Sequence, residues 1–399
     1  MRMLPFEYAV RNLGRSPMRL VLSVAGSALV VLLILAAGGF VNGMSTALRA
    51  TGGEHNVLLL GAGSEESVER SELPTSVPGI LEASVPGIRT RAGVAYISPE
   101  VHVMLPVVVG RDADGVAIAR QVMMRGVTPA ASLVHDAVSL VEGRWPRAGR
   151  DELMLGAMVP TATGIEAERL AVGGTLEFDG RRWTIVGRFA APGTVVEAEV
   201  WVPSTDLMTA TRRESISCVV VTLDPYDEAT GEGAEFADVA AFTKIRPDLE
   251  LVAMTERDYY GALASFYGPI KVVAWVTAAL IAIGGLFGGL NTMYAAFASR
   301  IRELGTLQTL GYRRSAIVLS MVQESTLATA AGGLVACAIG VFVLDGVAVR
   351  FSMGAFGLVV DERVLALGLV SGFLLGVLGA LPPAVRCLRP PISVALKAT

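Results

Sequence analysis

The side chains in this 399-residue chain that could do chemistry are few and far apart. Its three histidines, His55, His102 and His135, are scattered, and no paired-cysteine or HExxH spacing accompanies them, so no metal centre is read from them. Serines occur without a G-x-S-x-G elbow or a companion His and Asp, which leaves no signature of acyl transfer. A phosphate-binding loop would need a lysine followed by Ser or Thr; Lys244, Lys271 and Lys397 are the only lysines and none is so followed. No catalytic residue is assigned, the chain is read as a non-enzyme, and energy from ATP would have to arrive through a separate subunit. What remains is ionic. Glu324 stands alone in an apolar run, and the segment SRIRELGTLQTLGYRRSAI, residues 299–317, combines Glu303 with Arg300, Arg302, Arg313 and Arg314.

The elements that carry these charges are set by hydropathy. Hydrophobic residues make up 52% of the chain and charged ones 18%, too apolar for a soluble protein of this length. Residues 20–41, 272–298, 315–344 and 364–385 are long apolar runs whose single charge is Glu324. A helix rises about 1.5 Å per residue, so 22 residues reach ~33 Å, enough to cross a hydrocarbon core of roughly 30 Å. Four spans follow. The first is read as an anchor, because its apolar stretch exceeds the ~7–15 residues of a signal peptide and no A-x-A site follows it.

Orientation follows from the flanks. Arg2, Arg11, Arg15 and Arg19 precede the first span, Arg300, Arg302, Arg313 and Arg314 join the second and third, and Arg386, Arg389 and Lys397 follow the fourth. Positive segments stay inside, which puts both termini in the cytoplasm and residues 42–269 outside. That outer segment carries 19 Lys and Arg against 31 Asp and Glu, a net −12, and the rest of the chain 14 against 6, a net +8. Such asymmetry speaks against nucleic acid as a partner. Cys218 falls outside, Cys337 within the third span and Cys387 at the inner surface, so no intrachain disulfide is expected.

The boundaries read as a cytoplasmic amphipathic surface helix (1–17), a first span (18–44), an extracytoplasmic α+β domain (45–268), a second span (269–298), a cytoplasmic coupling loop or helix (299–314), a third span (315–344), a short outer loop (345–363), a fourth span (364–385) and a cytoplasmic tail (386–399). In residues 4–15, Phe6, Ala9, Val10 and Leu13 form one face and Arg11, Asn12 and Arg15 the other, the pattern of a helix lying on a membrane surface. In the outer domain the strand candidates are Val101–Val109, Val116–Gly126, Arg182–Phe189, Val195–Val202 and Ile216–Leu223, with helices expected over 152–171 and 229–245 and a loop over Asp224–Glu235. Thr255 and Asp258 resemble a capping box leading toward the second span, which Gly268-Pro269 would bend or interrupt.

Small residues recur at four-residue spacing: Gly284 and Gly288, Gly285 and Gly289, then Gly332, Ala336 and Gly340, then Gly368, Gly372 and Gly376. Such ridges let helix backbones approach closely, within the chain or, through the second-span pairs, between two copies. Apart from Glu324, Gln323 and Asn291 the spans offer little to line a hydrated path, so a pore is not expected. An ionised carboxylate about ten residues into a span costs roughly 2.5–3.5 kcal/mol, so Glu324 needs a partner. Pairing with a basic inner-surface residue and a role in proton or ion handling are the two readings open to it.

Taken together, these segments resemble the MacB-like, FtsX-type (type VII) permeases of ABC systems. YAVRNLGRSPMRLVLSVAG, residues 8–26, resembles that family's A-x-R-N-L...R opening. RELGTLQTLGYRRSAI with the QES that follows, residues 302–325, is similar to its R-E-I-G-x-L-x-A-L-G loop. Residues 142–189 resemble its G-D-x-L...F-x-V-V-G segment, with Gly173-Gly174 in place of Gly-Asp, and residues 381–398 resemble its P-A-x-R-A-A-R-x-x-P-V-E-A-L ending, from which Cys387 and Pro390 depart.

The resemblance implies an integral membrane α-helical protein of four transmembrane helices with an inserted extracytoplasmic domain of MacB periplasmic type, in a bacterial cytoplasmic (inner) membrane. It implies a cytoplasmic ABC ATPase dimer that supplies ATP and Mg, a second copy or paralogous permease and an extracytoplasmic adaptor as partners. By positional match the resemblance carries ATPase coupling to Arg302, Glu303, Leu304, Gly305, Leu310 and Gly311, and Arg300, Leu307, Arg313 and Arg314 of the same loop are assigned to it with them; from their spacing, Gly284, Gly285, Gly288 and Gly289 are the candidates for dimer packing. The function implied is mechanotransmission that extrudes or extracts a substrate, in efflux or lipoprotein export; the alternative is FtsX-type control of an outer enzyme or signalling partner.

Overall fold

The computed structural model describes residue 4 and residues 6–111, 114–227, 233–351 and 354–397. Arg2, part of the Asp224–Glu235 loop and the first residues of the helix expected over 229–245 lie outside that set. The chain divides into two compact units, one of residues 1–43, 269–347 and 358–399, the other of residues 44–268 and 348–357.

In the first unit, four helices among the described residues are long and apolar enough to cross a membrane: Pro17–Thr51, whose last residues belong to the second unit, Gly268–Ala298, Arg314–Leu344 and Glu362–Cys387. The helix Glu256–Phe266 ends before Gly268-Pro269, and the second span starts anew there. Glycine ridges decide which spans pack. A β-carbon on Gly332 would lie 2.5 Å from the Val24 carbonyl of the first span, and one on Gly376 would lie 2.6 Å from Thr326 Cα of the third. Any larger residue would force the first, third and fourth spans apart. On the second span, Gly285 packs on Val30, but a β-carbon on Gly284, Gly288 or Gly289 would meet nothing within 4 Å. The second span is accordingly the least buried of the four.

Helix Phe6–Gly14 keeps Phe6, Ala9, Val10 and Leu13 on one face at i, i+3, i+4 and i+7; Ala9 and Asn12 are buried, and Phe6 and Val10 are exposed.

The second unit is built on a ten-stranded sheet. Its spatial order is Leu251–Thr255, Asn56–Gly61, Cys218–Thr222, Ile97–Arg111, Ala117–Val127, Val200–Pro203, Glu152–Gly156, Arg181–Ala190 and Ser139–Gly143, and Thr175–Phe178 pairs with both Ile97–Arg111 and Arg181–Ala190. Three expectations need correction. Residues 152–171 contain the buried strand Glu152–Gly156, the short helix Val159–Thr163 and a 3-10 turn instead of one helix. Val195–Val202 is a 3-10 turn followed by a strand. The supposed outer loop 345–363 carries a hairpin, Ala348–Phe351 paired with Gly354–Gly357, whose residues cluster with this unit.

One face of the sheet is apolar throughout. Val57, Leu59, Val101, Met124, Leu153, Leu155, Val200, Val219 and Val221 share one core there. The opposite face is also buried but polar at its centre. Register puts Cys218 opposite Glu100, His102 opposite Arg125, and Trp201 opposite Arg125 on its other side. Strand pleating therefore stacks these side chains on one surface.

Arg125, 1% exposed, donates from Nε and Nη2 to the Glu199 carboxylate at 2.6 and 2.7 Å and from Nη1 to Glu100 Oε2 at 2.8 Å. His135 Nε2 lies 2.6 Å from Glu100 Oε1, His102 Nε2 lies 3.1 Å from Oε2, and the Ser98 hydroxyl donates to Oε1 at 2.8 Å. Trp201 Nε1 completes the set by donating to Glu199. Two histidines scattered in sequence thus converge on one carboxylate. Glu100, His102 and Cys218 bring potential ligand atoms within 4.8 Å of one another. Glu100, however, already accepts from four groups, one of them a guanidinium, so a cation there would have to displace Arg125.

These contacts give the unit a pH dependence. Burial alone would raise the Glu100 pKa, but His135 and Arg125 overcome it and hold the carboxyl well below its ordinary 4.5. Burial would lower His135, yet the Glu100 charge and hydrogen bond raise it above 6.5; burial and then Arg125 lower His102. Stability from Glu100 is present above pH 4.5 and lost as pH falls below it, whereas that from His135 is present below 6.5 and lost as pH rises through its raised folded value. His135→Gln should therefore abolish the loss of stability above pH 6.5 while leaving the acid limb in place, as read by denaturant unfolding of the full chain through the fluorescence of Trp201, which lies 5.7 Å from the His135 ring.

Candidate coupling site

The inner ends of the spans carry a second set of ion pairs, wholly within the first unit. Glu324, one of the buried residues of the third span, is bonded by Arg19 of the first span and by Arg300, whose Nη1 reaches its two oxygens at 3.3 and 3.0 Å. Arg300 precedes helix Ile301–Thr309, and its Nε also donates to Glu303 Oε2 at 3.0 Å. Glu303 Oε1 accepts the Tyr8 hydroxyl at 2.6 Å and Arg15 Nη1 at 3.2 Å. One guanidinium, that of Arg300, therefore bridges a carboxylate in the third span and a carboxylate on the short helix. Helix Phe6–Gly14 closes the network through Tyr8.

Burial opposes ionisation of Glu303, but its hydrogen bonds from Arg300 and Tyr8 win and hold its pKa below the ordinary 4.5. Burial and the bond to Glu303 raise the Tyr8 phenol. Both shifts favour a charged Glu303 accepting from a neutral tyrosine.

Short helix Ile301–Thr309 rests on the chain's own tail. A β-carbon on Gly305 would lie 3.1 Å from Ala395 Cβ, and Leu304 joins a core with Phe297, Ile317, Met321 and Leu388. Gly311, at φ +89°, ends the helix in the left-handed conformation that glycine adopts without penalty.

Comparison with known proteins places the chain in a family. Residues 275–392 match the model described as FtsX-like permease C-terminal, and residues 20–235, more than half of the chain, match the MacB-like periplasmic core domain. The chain belongs to the MacB/FtsX-type permease family. It is 25% identical over 198 residues to the uncharacterized ABC transporter permease YknZ of Bacillus subtilis (strain 168), an alignment covering 48% of this chain and 47% of that protein. The chain thus spans about half the length of the curated relative it matches. Among solved structures, it is similar to the periplasmic region of MacB from Actinobacillus actinomycetemcomitans, with 13% identity and a TM-score of 0.39 over 53% of this chain and 94% of that one. It is also similar to the extracellular domain of the noncanonic ABC-type transporter YknZ from Gram-positive bacteria, with 12% identity and a TM-score of 0.37 over 50% and 99%.

In this permease the ten residues assigned to coupling divide by burial. Leu304 and Gly305 are buried and Leu307 is half-buried, so they seat the helix instead of meeting a partner. Arg300 and Glu303 are taken up by the ion pairs. Arg302, Leu310, Gly311, Arg313 and Arg314 are exposed, Leu310 at 60%; Arg302, Thr306, Thr309 and Leu310 fall on one side of the helix at i, i+4, i+7 and i+8, and Gly311, Arg313 and Arg314 follow it in the turn and at the start of the third span. Of the two flanking leucines, Leu304 is buried and Leu310 exposed.

Tyr8 was absent from the sequence-based assignment, and Arg15 and Arg19 entered it only as flanking charge. Their signal was spacing, because Tyr8, Asn12 and Arg15 at i, i+4 and i+7 share a helix face. Glu324→Ala, which takes from Arg19 and Arg300 the carboxylate they share and leaves Arg300 only Glu303, should destabilise the permease by about 3–5 kcal/mol in mixed-micelle unfolding. Arg15→Ala, at a side chain 68% exposed, should change it by about 0–1 kcal/mol.

Proposed function

We propose that this permease is the membrane subunit of an ABC transport system of MacB/FtsX type, and that it transmits motion generated by a cytoplasmic ATPase dimer to an extracytoplasmic domain. The ATPase supplies ATP and Mg chemistry; the permease supplies the lever. Its second unit acts on a substrate met outside the membrane, to extrude it or extract it. The permease sits in the bacterial cytoplasmic membrane with both termini inside, works as a pair with a second copy or a paralogue, and meets an extracytoplasmic adaptor.

The observation that carries this reading is the Glu303–Arg300–Glu324 bridge. A push on the exposed side of helix Ile301–Thr309 reaches the third span through Arg300 and the first span through Arg19, by charge-assisted bonds that are among the stronger polar contacts available. Helix Pro17–Thr51 then runs without interruption from residues of the first unit to residues of the second. The spans offer no row of polar side chains for a solute, which favours work done outside over passage through. The basic inner flanks support the orientation.

Two variants separate contact from transmission. In the complex with its co-purifying ATPase, Arg302→Glu combined with Leu310→Asp should weaken ATPase association by about 2–5 kcal/mol, upwards of ~30-fold in Kd. Glu303→Ala should leave association near wild type yet uncouple ATP hydrolysis from the membrane subunit. Failure of any ATPase to co-purify, or identical hydrolysis rates for wild type and Glu303→Ala, would contradict the reading.

A further inference from the structure

The polar face of the outer unit's sheet is not packed solid. Two adjoining cavities, of about 80 and 10 Å³, share Val68, His102, Arg125, Tyr259 and Tyr260 as walls. Apart from Glu199, the rest of the larger cavity's lining is mostly apolar and aromatic, with Met44, Leu48, Met123, Leu263, Phe351 and Phe356 among others. All these residues belong to the second unit.

Two polar atoms at these walls, the Tyr260 hydroxyl and one Glu256 oxygen, have no described protein partner. Tyr260 is 7% exposed, lines both cavities, and its hydroxyl has no hydrogen-bond partner among the described residues. Glu256 is 3% exposed and lines the smaller cavity; its Oε2 accepts from the Gly53 amide and Asn56 Nδ2, each at 2.8 Å, while Oε1 accepts from no described residue. A buried carboxylate oxygen and a buried hydroxyl left open beside a cavity are costly unless something fills the space. Tyr259 differs, since its hydroxyl already accepts from the Val68 amide at 3.1 Å.

Charge selects what can enter. Glu100, Glu199 and Glu256 contribute three formal negative charges, and Arg125 with a protonated His135 contributes two positive ones, so the wall is left negative. Arg125, already bound by two carboxylates, has no charge to spare for an anion. Aromatic faces add attraction for a cation. We propose that this chamber binds a small organic cation, an ammonium group carried on an apolar body, with the Glu256 carboxylate and the Tyr260 hydroxyl holding the ammonium and the aromatic wall holding the body. At 80 Å³, about half the roughly 150 Å³ of a cavity that takes benzene, it encloses a short alkyl end or part of a ring and leaves the remainder of the ligand outside. The inference goes beyond the coupling reading, because it concerns equilibrium binding in the absence of any ATPase or nucleotide.

The test is calorimetric titration of the full chain in micelles, with empty micelles as reference and phenethylamine, butylamine, benzyl alcohol, phenylacetate and zinc chloride as probes. Phenethylamine should saturate at one site per chain and phenylacetate should not bind. Glu256→Gln should weaken phenethylamine by at least about tenfold and Tyr260→Phe by about three- to tenfold, while Leu263→Trp, which fills the larger cavity, should abolish binding. Glu303→Ala should leave it unchanged. Heats that only track empty micelles, equal affinity for the amine and the acid, saturable binding of zinc alone, or indifference to the variants would overturn the proposal. If circular dichroism shows Glu256→Gln unfolded, Tyr260→Phe and Leu263→Trp decide the matter.

Discussion

A carboxylate placed in a membrane-spanning helix must be neutralised where it sits, because hydrocarbon offers neither water nor counterion. Glu324 meets that demand with two arginines drawn from different elements, and this choice of partners organises the inner end of the permease. Arg19 ties it to the first span, and Arg300 ties it to the short helix between the second and third. A single lysine nearby would have neutralised the charge equally well. It would not have formed a bridge, since only a guanidinium presents separate N–H edges to two carboxylates in fixed geometry. The segment between the second and third spans has four arginines and no lysine.

The same physics recurs in the outer unit, where Arg125 stands between Glu100 and Glu199 as Arg300 stands between Glu303 and Glu324. There the pairs are deeper and two histidines join them. A buried ionic cluster is weak evidence for stability, because replacing such groups with apolar ones is often neutral or favourable. Its presence on one face of an otherwise apolar sheet, next to cavities with unsatisfied polar atoms, points instead to a role in shaping a site.

Much of the frame was legible in the sequence. Apolar runs of 22 residues or more, with Glu324 their single charge, admit little besides spans, and the break at Gly268-Pro269 and the Thr255 cap, whose side chain accepts from the Asp258 amide, follow from local chemistry alone. Long-range facts were not. Glu152–Gly156 is buried on both faces, so its ELMLG reads as a continuous apolar run that periodicity cannot tell from a helix. Asn56–Gly61, buried almost throughout, fails to show alternation for the same reason. His102 and His135 lie 33 positions apart in sequence, and only the pairing of their strands and turns shows that both reach Glu100. Within the coupling segment, composition marked the right residues but not which of them face inward, since that depends on Ala395 lying against Gly305.

The claim on which the account rests is that Arg300 and Glu324 act as one unit joining the short helix Ile301–Thr309 to the third span. A double-mutant cycle with Arg300→Gln, Glu324→Gln and the pair, followed by unfolding of the full chain in mixed micelles, measures it directly. A coupling energy of about 1–3 kcal/mol is the predicted result. Additivity to within about 0.3–0.5 kcal/mol, the behaviour of independent sites, would contradict it.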